Sequence, residues 1–255
     1  MLFSLEGQKA LIVGIANEHS IAWGCAKALR EQGADLAITY LNAKAEPHVR
    51  PLAEELGAEI ILPLDVSQPG QLEAVFDEIT ARWGRLDTLV HSIAFAPRDD
   101  LHGRGVDCSA EGFTLAMDVS VHSFLRMIRL AEPLMHEGGT CLTVSFFGSV
   151  RVVKDYNMMG PVKAALESAV RYTAAELGEK GISVHALSPG PLKTRAASGI
   201  SHFDEMLNAA AARAPMHVLA SIEDVGGMAA FLASPQARNL TGGVHEIDGG
   251  YSIIA

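Results

Sequence analysis

Seven short apolar runs, each followed by a stretch with helical spacing or by a glycine-rich turn, constrain this chain more than any other feature of its sequence. Residues 9–15 (KALIVGI), 34–40, 58–66, 86–95, 139–147, 182–190 and 242–250 read as strands. Residues 20–33, 46–57, 69–84, roughly 109–136, roughly 157–180 and 221–234 carry the helical period between them. Apolar runs this continuous belong to strands covered on both faces, as parallel strands under helices are. The alternation predicts an α/β fold: a doubly wound, Rossmann-like parallel sheet of seven strands with helices on both faces. Neither a repeat nor a linker divides residues 1–255, so one domain is expected. Such sheets bind ligands beyond the carboxyl ends of their strands, at the switch in strand order. Functional residues should therefore follow the strands.

Composition narrows the partners. Of the 255 residues, 49% are hydrophobic and 20% charged, which suits a packed domain and not a disordered chain. A formal net charge of −10 argues against nucleic acid. Cys25, Cys108 and Cys141 are odd in number and far apart, without metal-ligand spacing. They point to a reducing, cytoplasmic location and to no metal. The amino terminus shows no secretion signal, and no run reaches membrane-spanning length, so no membrane association is expected.

The first strand–helix turn, LIVGIANEHSIAWG, is glycine-poor for a dinucleotide loop. A pyrophosphate needs close backbone approach at a helix amino terminus, where free N–H groups and the dipole favour an anion. Gly14 allows that approach. Ser20 is placed to cap the helix and to offer its hydroxyl or amide, and Ala22 and Gly24 are small enough to pack the helix on the sheet. An ordinary capped turn would look similar. Asp65 ends the third strand, placed either for the adenine amino group or for capping the next turn. Ser92 and Ala94 follow the fourth strand and leave room for a flat ring. The second strand ends TYLN, without the acid that binds a ribose 2′-hydroxyl or the arginine that binds a 2′-phosphate. Leu41 there offers apolar surface to an adenine, and Lys44 is expected to be solvated. NADH is favoured over NADPH.

YNMMGPVK, residues 156–163, holds a tyrosine and a lysine seven apart. That spacing returns to one helix face about 10 Å along the axis. Both can serve one ligand only if Tyr156 belongs to a bent approach. Proline is tolerated in a first helical turn, so the regular helix is expected to begin near Pro161, with Lys163 in its first turn.

SIAWG, HSIAFAP, YNMMGPVKAALES and TRAASGI occur in this order, and the resemblance they carry runs over essentially the whole chain. Together they resemble the bacterial enoyl-acyl-carrier-protein reductases, a divergent branch of the short-chain dehydrogenase/reductases. The resemblance implies hydride transfer from NADH to the β-carbon of a trans-2-enoyl thioester carried on acyl carrier protein or coenzyme A. It implies a homotetramer with 222 symmetry. Tyr156 matches the family's donor to the thioester oxygen, and Lys163 its ligand for the nicotinamide ribose. Gly14, Ser20 and Ile21 match the pyrophosphate loop, and Asp65 and Val66 the adenine pocket. Ser92, Ile93, Leu192 and Thr194 match further cofactor contacts. Ala94, Phe95, Phe146, Met159, Ala196, Ala197, Ile200, Phe203 and Met206 fall where the acyl chain is bound, with residues about 191–215 as the substrate segment. For Phe203 and Met206 a place in the core is equally open.

Phe146 stands where many relatives have a second tyrosine, so it brings no hydrogen bond. Lys193 and Arg195 offer either a basic patch for an acidic carrier or solvated charges. Two rivals remain. One is a carbonyl reductase of the common Tyr-x3-Lys branch, weakened because residue 160 is glycine; its hydroxyl would be Thr143 or Ser145. The other is a dinucleotide-binding protein without catalysis.

Overall fold

The computed structural model describes residues 3–192 and 203–254. Thr194, Ala196, Ala197 and Ile200, with Lys193 and Arg195, lie outside them. The sheet has the expected seven strands: β1 (Lys9–Val13), β2 (Asp35–Tyr40), β3 (Ile60–Pro63), β4 (Thr88–His91), β5 (Gly139–Val144), β6 (Ile182–Pro189) and β7 (Val244–Ile247). Their order is β3-β2-β1-β4-β5-β6-β7, and every pairing is parallel. The order reverses between β1 and β4, where Leu11 is in register with Leu89. That switch opens a crevice at the carboxyl edge.

Successive side chains of each strand point to opposite faces, so every strand feeds two cores. Leu11 and Val13 join one core with α3 (Gln71–Arg82), α5 (Ala110–Met117), α6 (Ser123–Ala131) and α7 (Met159–Leu177). Ala10 and Ile12 join the other, with α1 (Ile21–Glu31), α2 (Glu46–Glu55) and α9 (Ile222–Leu232). The short α4 (Arg98–Leu101) follows β4, and α8 (Phe203–Arg213) follows β6. Phe203 and Met206 lie on α8.

Three local expectations are corrected. The helix expected over 109–136 is α5 and α6 joined by a wider π-helical turn, Asp118–His122, with a 3-10 turn at Glu132–Leu134. The wide turn aims Ser120 at the chain after β4: its Oγ accepts from the Phe95 amide at 3.0 Å and donates to the Phe95 carbonyl at 3.2 Å. Second, α7 begins at Met159, close to Pro161 as expected, but early enough to put Lys163 beyond its first turn. The first i to i−4 bond is from Val162 N to Met158 O, so Pro161 sits where its missing N–H had no helical acceptor to lose. Lys163 is then the fifth helical residue, opening the second turn. Third, Gly24 packs on α9 instead of the sheet. A Cβ there would lie 2.1 Å from the Ile222 carbonyl oxygen, and one on Gly226 2.3 Å from that of Gly24.

Because this helix pair touches backbone to backbone, Gly24→Ala is expected to lower the free energy of unfolding by about 1–3 kcal/mol. Urea denaturation of the two proteins measures the difference.

Candidate active site

The chain after β1 turns sharply at Gly14, whose φ is +113° and whose Cβ position would fall 2.1 Å from the Ser92 carbonyl oxygen. No side chain fits there, and the Ser92 amide donates to Val13 O at 2.9 Å. The loop ends at Ser20, which occupies the N-cap position of α1 in extended conformation. Its hydroxyl does not cap the helix. It accepts from the amides of Ala16 (3.0 Å) and Asn17 (3.1 Å), bracing the loop instead. Ile21 opens α1, and no carboxylate stands in its first turn to repel an anion.

After β2, Leu41 is 54% exposed and Lys44 is exposed. Asp65 caps its turn through Oδ1, which accepts from the Ser67 amide (2.9 Å) and hydroxyl (2.6 Å). Its Oδ2 makes no hydrogen bond among the described residues. Val66 is buried, and its carbonyl accepts from Arg126 Nη2 at 3.0 Å. Arg126 gave no signal in the sequence; from α6 it props the loop after β3. Ile93 is partly buried against the core, whereas Ala94 is exposed and Phe95 50% exposed. Leu192 is partly buried against the α1–α9 core. A close-approach glycine, an uncharged helix start and an apolar surface after β2 fit a dinucleotide.

The other half of the site follows β5. Tyr156 is flanked by Asp155 and Asn157, both in left-handed backbone, at φ 63° and 44°. Such conformations cost about 1–3 kcal/mol each for residues other than glycine. Asn157 is held there by its Nδ2, which donates to Leu101 O at 2.7 Å. The approach is therefore bent, as the tyrosine–lysine spacing requires. The Tyr156 ring packs edge-on to Phe146, with centroids 4.9 Å apart, and Phe146 in turn meets Phe147 at 4.6 Å. Phe147 touches Tyr251 of the carboxyl-terminal turn at 5.2 Å. Gly148 makes room for this stack: a Cβ there would stand 2.7 Å from Tyr156 Cδ1. Met159 is buried in the core beside Met158.

Lys163 is buried at 5% exposure, and its Nζ donates to Val144 O at 2.7 Å. Burial pulls its pKa down to about 8, opposed by the Glu167 carboxylate one turn along. Burial, then Glu167, pushes the Tyr156 phenol well above the ordinary tyrosine range. Among the described residues no hydrogen bond joins Tyr156 to Lys163.

The two hydroxyls open to a carbonyl reductase are both engaged elsewhere. Ser145 Oγ donates to Glu167 Oε1 at 2.5 Å. Thr143 Oγ1 meets His91 Nδ1 at 2.9 Å, and His91 Nε2 meets Ser123 Oγ at 2.8 Å. Ser123 spends its proton on Val119 O at 2.7 Å. His91 must therefore carry its proton on Nε2 and accept from Thr143 at Nδ1, a neutral ring. Burial, aided by the charge of Lys163, pulls His91 down to about 3.

The profile of the family described as enoyl-(acyl carrier protein) reductase matches residues 14–252. An NADH-dependent enoyl-[acyl-carrier-protein] reductase of Rhizobium meliloti is 45% identical, over 98% of this chain and 94% of its own length. The crystal structure of the Anaplasma phagocytophilum enoyl-(acyl-carrier-protein) reductase with NAD superposes with a TM-score of 0.94 at 43% identity, covering 98% of this chain and 96% of that one. The Bacillus cereus enoyl-acyl carrier protein reductase with NADP+ and indole naphthyridinone gives 0.96 at 42%, covering 98% of each.

His91 makes stability pH-dependent. Unfolded histidine binds a proton below about pH 6.5, whereas folded His91 refuses it until about 3. Between those values the unfolded chain holds more protons, so stability falls as pH falls through the window. Denaturation midpoints should drop between about pH 7 and pH 5 and drop less in His91→Gln.

Proposed function

The chain belongs to the enoyl-(acyl-carrier-protein) reductase family, and from that premise we propose which of its residues carry the reaction. The reaction is the NADH-dependent reduction of an enoyl thioester on acyl carrier protein, a step of fatty acid synthesis. NADH, when bound, supplies the hydride that reaches the β-carbon. The conjugated electrons then move onto the thioester oxygen, and the site must hold that charge until a proton reaches the α-carbon.

Tyr156 is the donor to that oxygen. The observation that carries this reading is a phenol in the approach to α7, packed on Phe146 just past β5 and held in its protonated form by burial. A carbonyl reductase instead needs a proton delivered to the oxygen during hydride transfer, which a phenol held in its protonated form by burial gives up less readily. Engagement of Thr143 and Ser145 with His91 and Glu167 disfavours that chemistry further. Lys163 binds the nicotinamide ribose with the donors that Val144 O leaves free.

Gly14, Ser20, Ile21, Ser92 and Ile93 hold the pyrophosphate and the adjoining segment, with Ser20 acting through the loop it braces. Asp65, Val66 and Leu41 form the adenine side. No arginine stands in the TYLN end of β2, and Arg50 on α2, over the Tyr40 ring, is paired with Glu46, which supports NADH over NADPH. Leu192 and Thr194 complete the cofactor contacts. Ala94, Phe95, Phe146 and Met159, with Ala196, Ala197, Ile200, Phe203 and Met206, serve the acyl chain. Coenzyme A thioesters, a tetramer and a cytoplasmic location belong to the same proposal. Tyr172 on α7 (71% exposed) and exposed Phe113 and Leu115 on α5 supply apolar surface for the assembly, and three free cysteines suit the location.

Tyr156→Phe should lower kcat about 10²–10³-fold while leaving NADH affinity unchanged. Lys163→Ala should weaken NADH binding about tenfold or more, as loss of a charged hydrogen bond does. Steady-state kinetics with an enoyl-acyl-carrier substrate and NADH fluorescence titrations read the two effects. Normal NADH binding by Lys163→Ala would remove its assigned role.

A further inference from the structure

Glu167 is an acid in the middle of α7, buried at 5% exposure, where an apolar residue would pack more cheaply. Neither the sheet nor a helix end requires it. It stands one turn after Lys163, so both side chains leave the same face of α7 toward the end of β5. There two consecutive residues receive them separately. The Val144 carbonyl takes the Lys163 ammonium, and the Ser145 hydroxyl donates to Glu167 Oε1. Among the described residues Lys163 forms no ion pair. The carboxylate is thus close enough to act by its charge and tethered where it does not capture the donors of Nζ.

We infer that Glu167 is a positioning residue for Lys163: tethered by Ser145 one turn along α7, its charge keeps the buried ammonium cationic without capturing the donors of Nζ. Glu167 opposes the effect of burial on Lys163. The groups that face the pair from other elements do not replace it. His91 on β4 faces Lys163 and is neutral. Glu246 on β7 also feels Glu167; its carboxyl is pushed up by burial first, against the pull of the Ser188 hydroxyl, and then by the charges of Asp248 and Glu167. Glu167 is therefore the negative charge that opposes the effect of burial on Lys163.

This inference rests on the role assigned to Lys163, and one set of titrations separates the two. NADH affinity is measured by fluorescence from about pH 6 to pH 9.5, a range spanning the Lys163 value near 8. In the unmodified protein affinity should fall as pH rises through that value. Glu167→Gln should move the midpoint down by about one unit or more, and Glu167→Asp should restore part of the shift. Ser145→Ala, which frees the carboxylate to pair with Lys163, should move it up and weaken binding at every pH. Lys163→Met should lack the transition. A transition that persists in Lys163→Met overturns the role of the lysine. A transition lost there but unmoved in Glu167→Gln overturns the role of Glu167 alone. If Glu167→Gln does not fold, an unmoved midpoint in Ser145→Ala overturns it instead.

Discussion

A lysine ammonium buried behind the end of β5 is the interaction on which the rest of the site depends. Removing such a charge from water is expensive, and it persists only where a carbonyl and a nearby carboxylate compensate. Val144 O provides the first and Glu167 the second. Both demands shape the fold locally. The parallel sheet ends β5 with a free carbonyl, and α7 must run close over that end. Small Gly148 and Gly160 allow the approach, with a Cβ on Gly160 falling 3.1 Å from the Gly148 carbonyl oxygen.

The tyrosine depends on the same arrangement from the other side. Its bent approach stores backbone strain at Asp155 and Asn157, and the Leu101 carbonyl and the Phe146 ring hold it in place. An aromatic stack running from Tyr156 through Phe146 and Phe147 to Tyr251 links the phenol to the last turn of the chain. Phe146 carries no hydrogen-bonding group, but it fixes the Tyr156 ring, which gives the phenylalanine a physical role of its own.

Much of the fold was legible because burial on both faces writes continuous apolar runs into parallel strands. The seven strands follow from those runs and six flanking helical stretches from their spacing, whereas α4 and α8 were not expected. The π turn at Asp118–His122 was not, since one extra residue in a helical pattern shifts the apolar stripe without ending it. In the site, Tyr156, Lys163 and Gly14 stood out through spacing and glycine placement. Ser20 was found, but its hydroxyl serves the loop amides instead of the helix, a choice made by the loop's own folding. Arg126 and Gly148 left no local signal, because each acts on a segment distant in sequence. Glu167 did leave one: an acid one turn beyond Lys163, in a helix whose facing residues are apolar.

The proposed chemistry turns on Tyr156 remaining a phenol while Lys163 stays cationic. Tyrosinate absorbance, followed from pH 7 upward in the unmodified protein and in Tyr156→Phe, tests this most directly. The two titrations should coincide up to about pH 10, the ordinary tyrosine value. A tyrosinate signal that appears below that pH and is lost in Tyr156→Phe would contradict it.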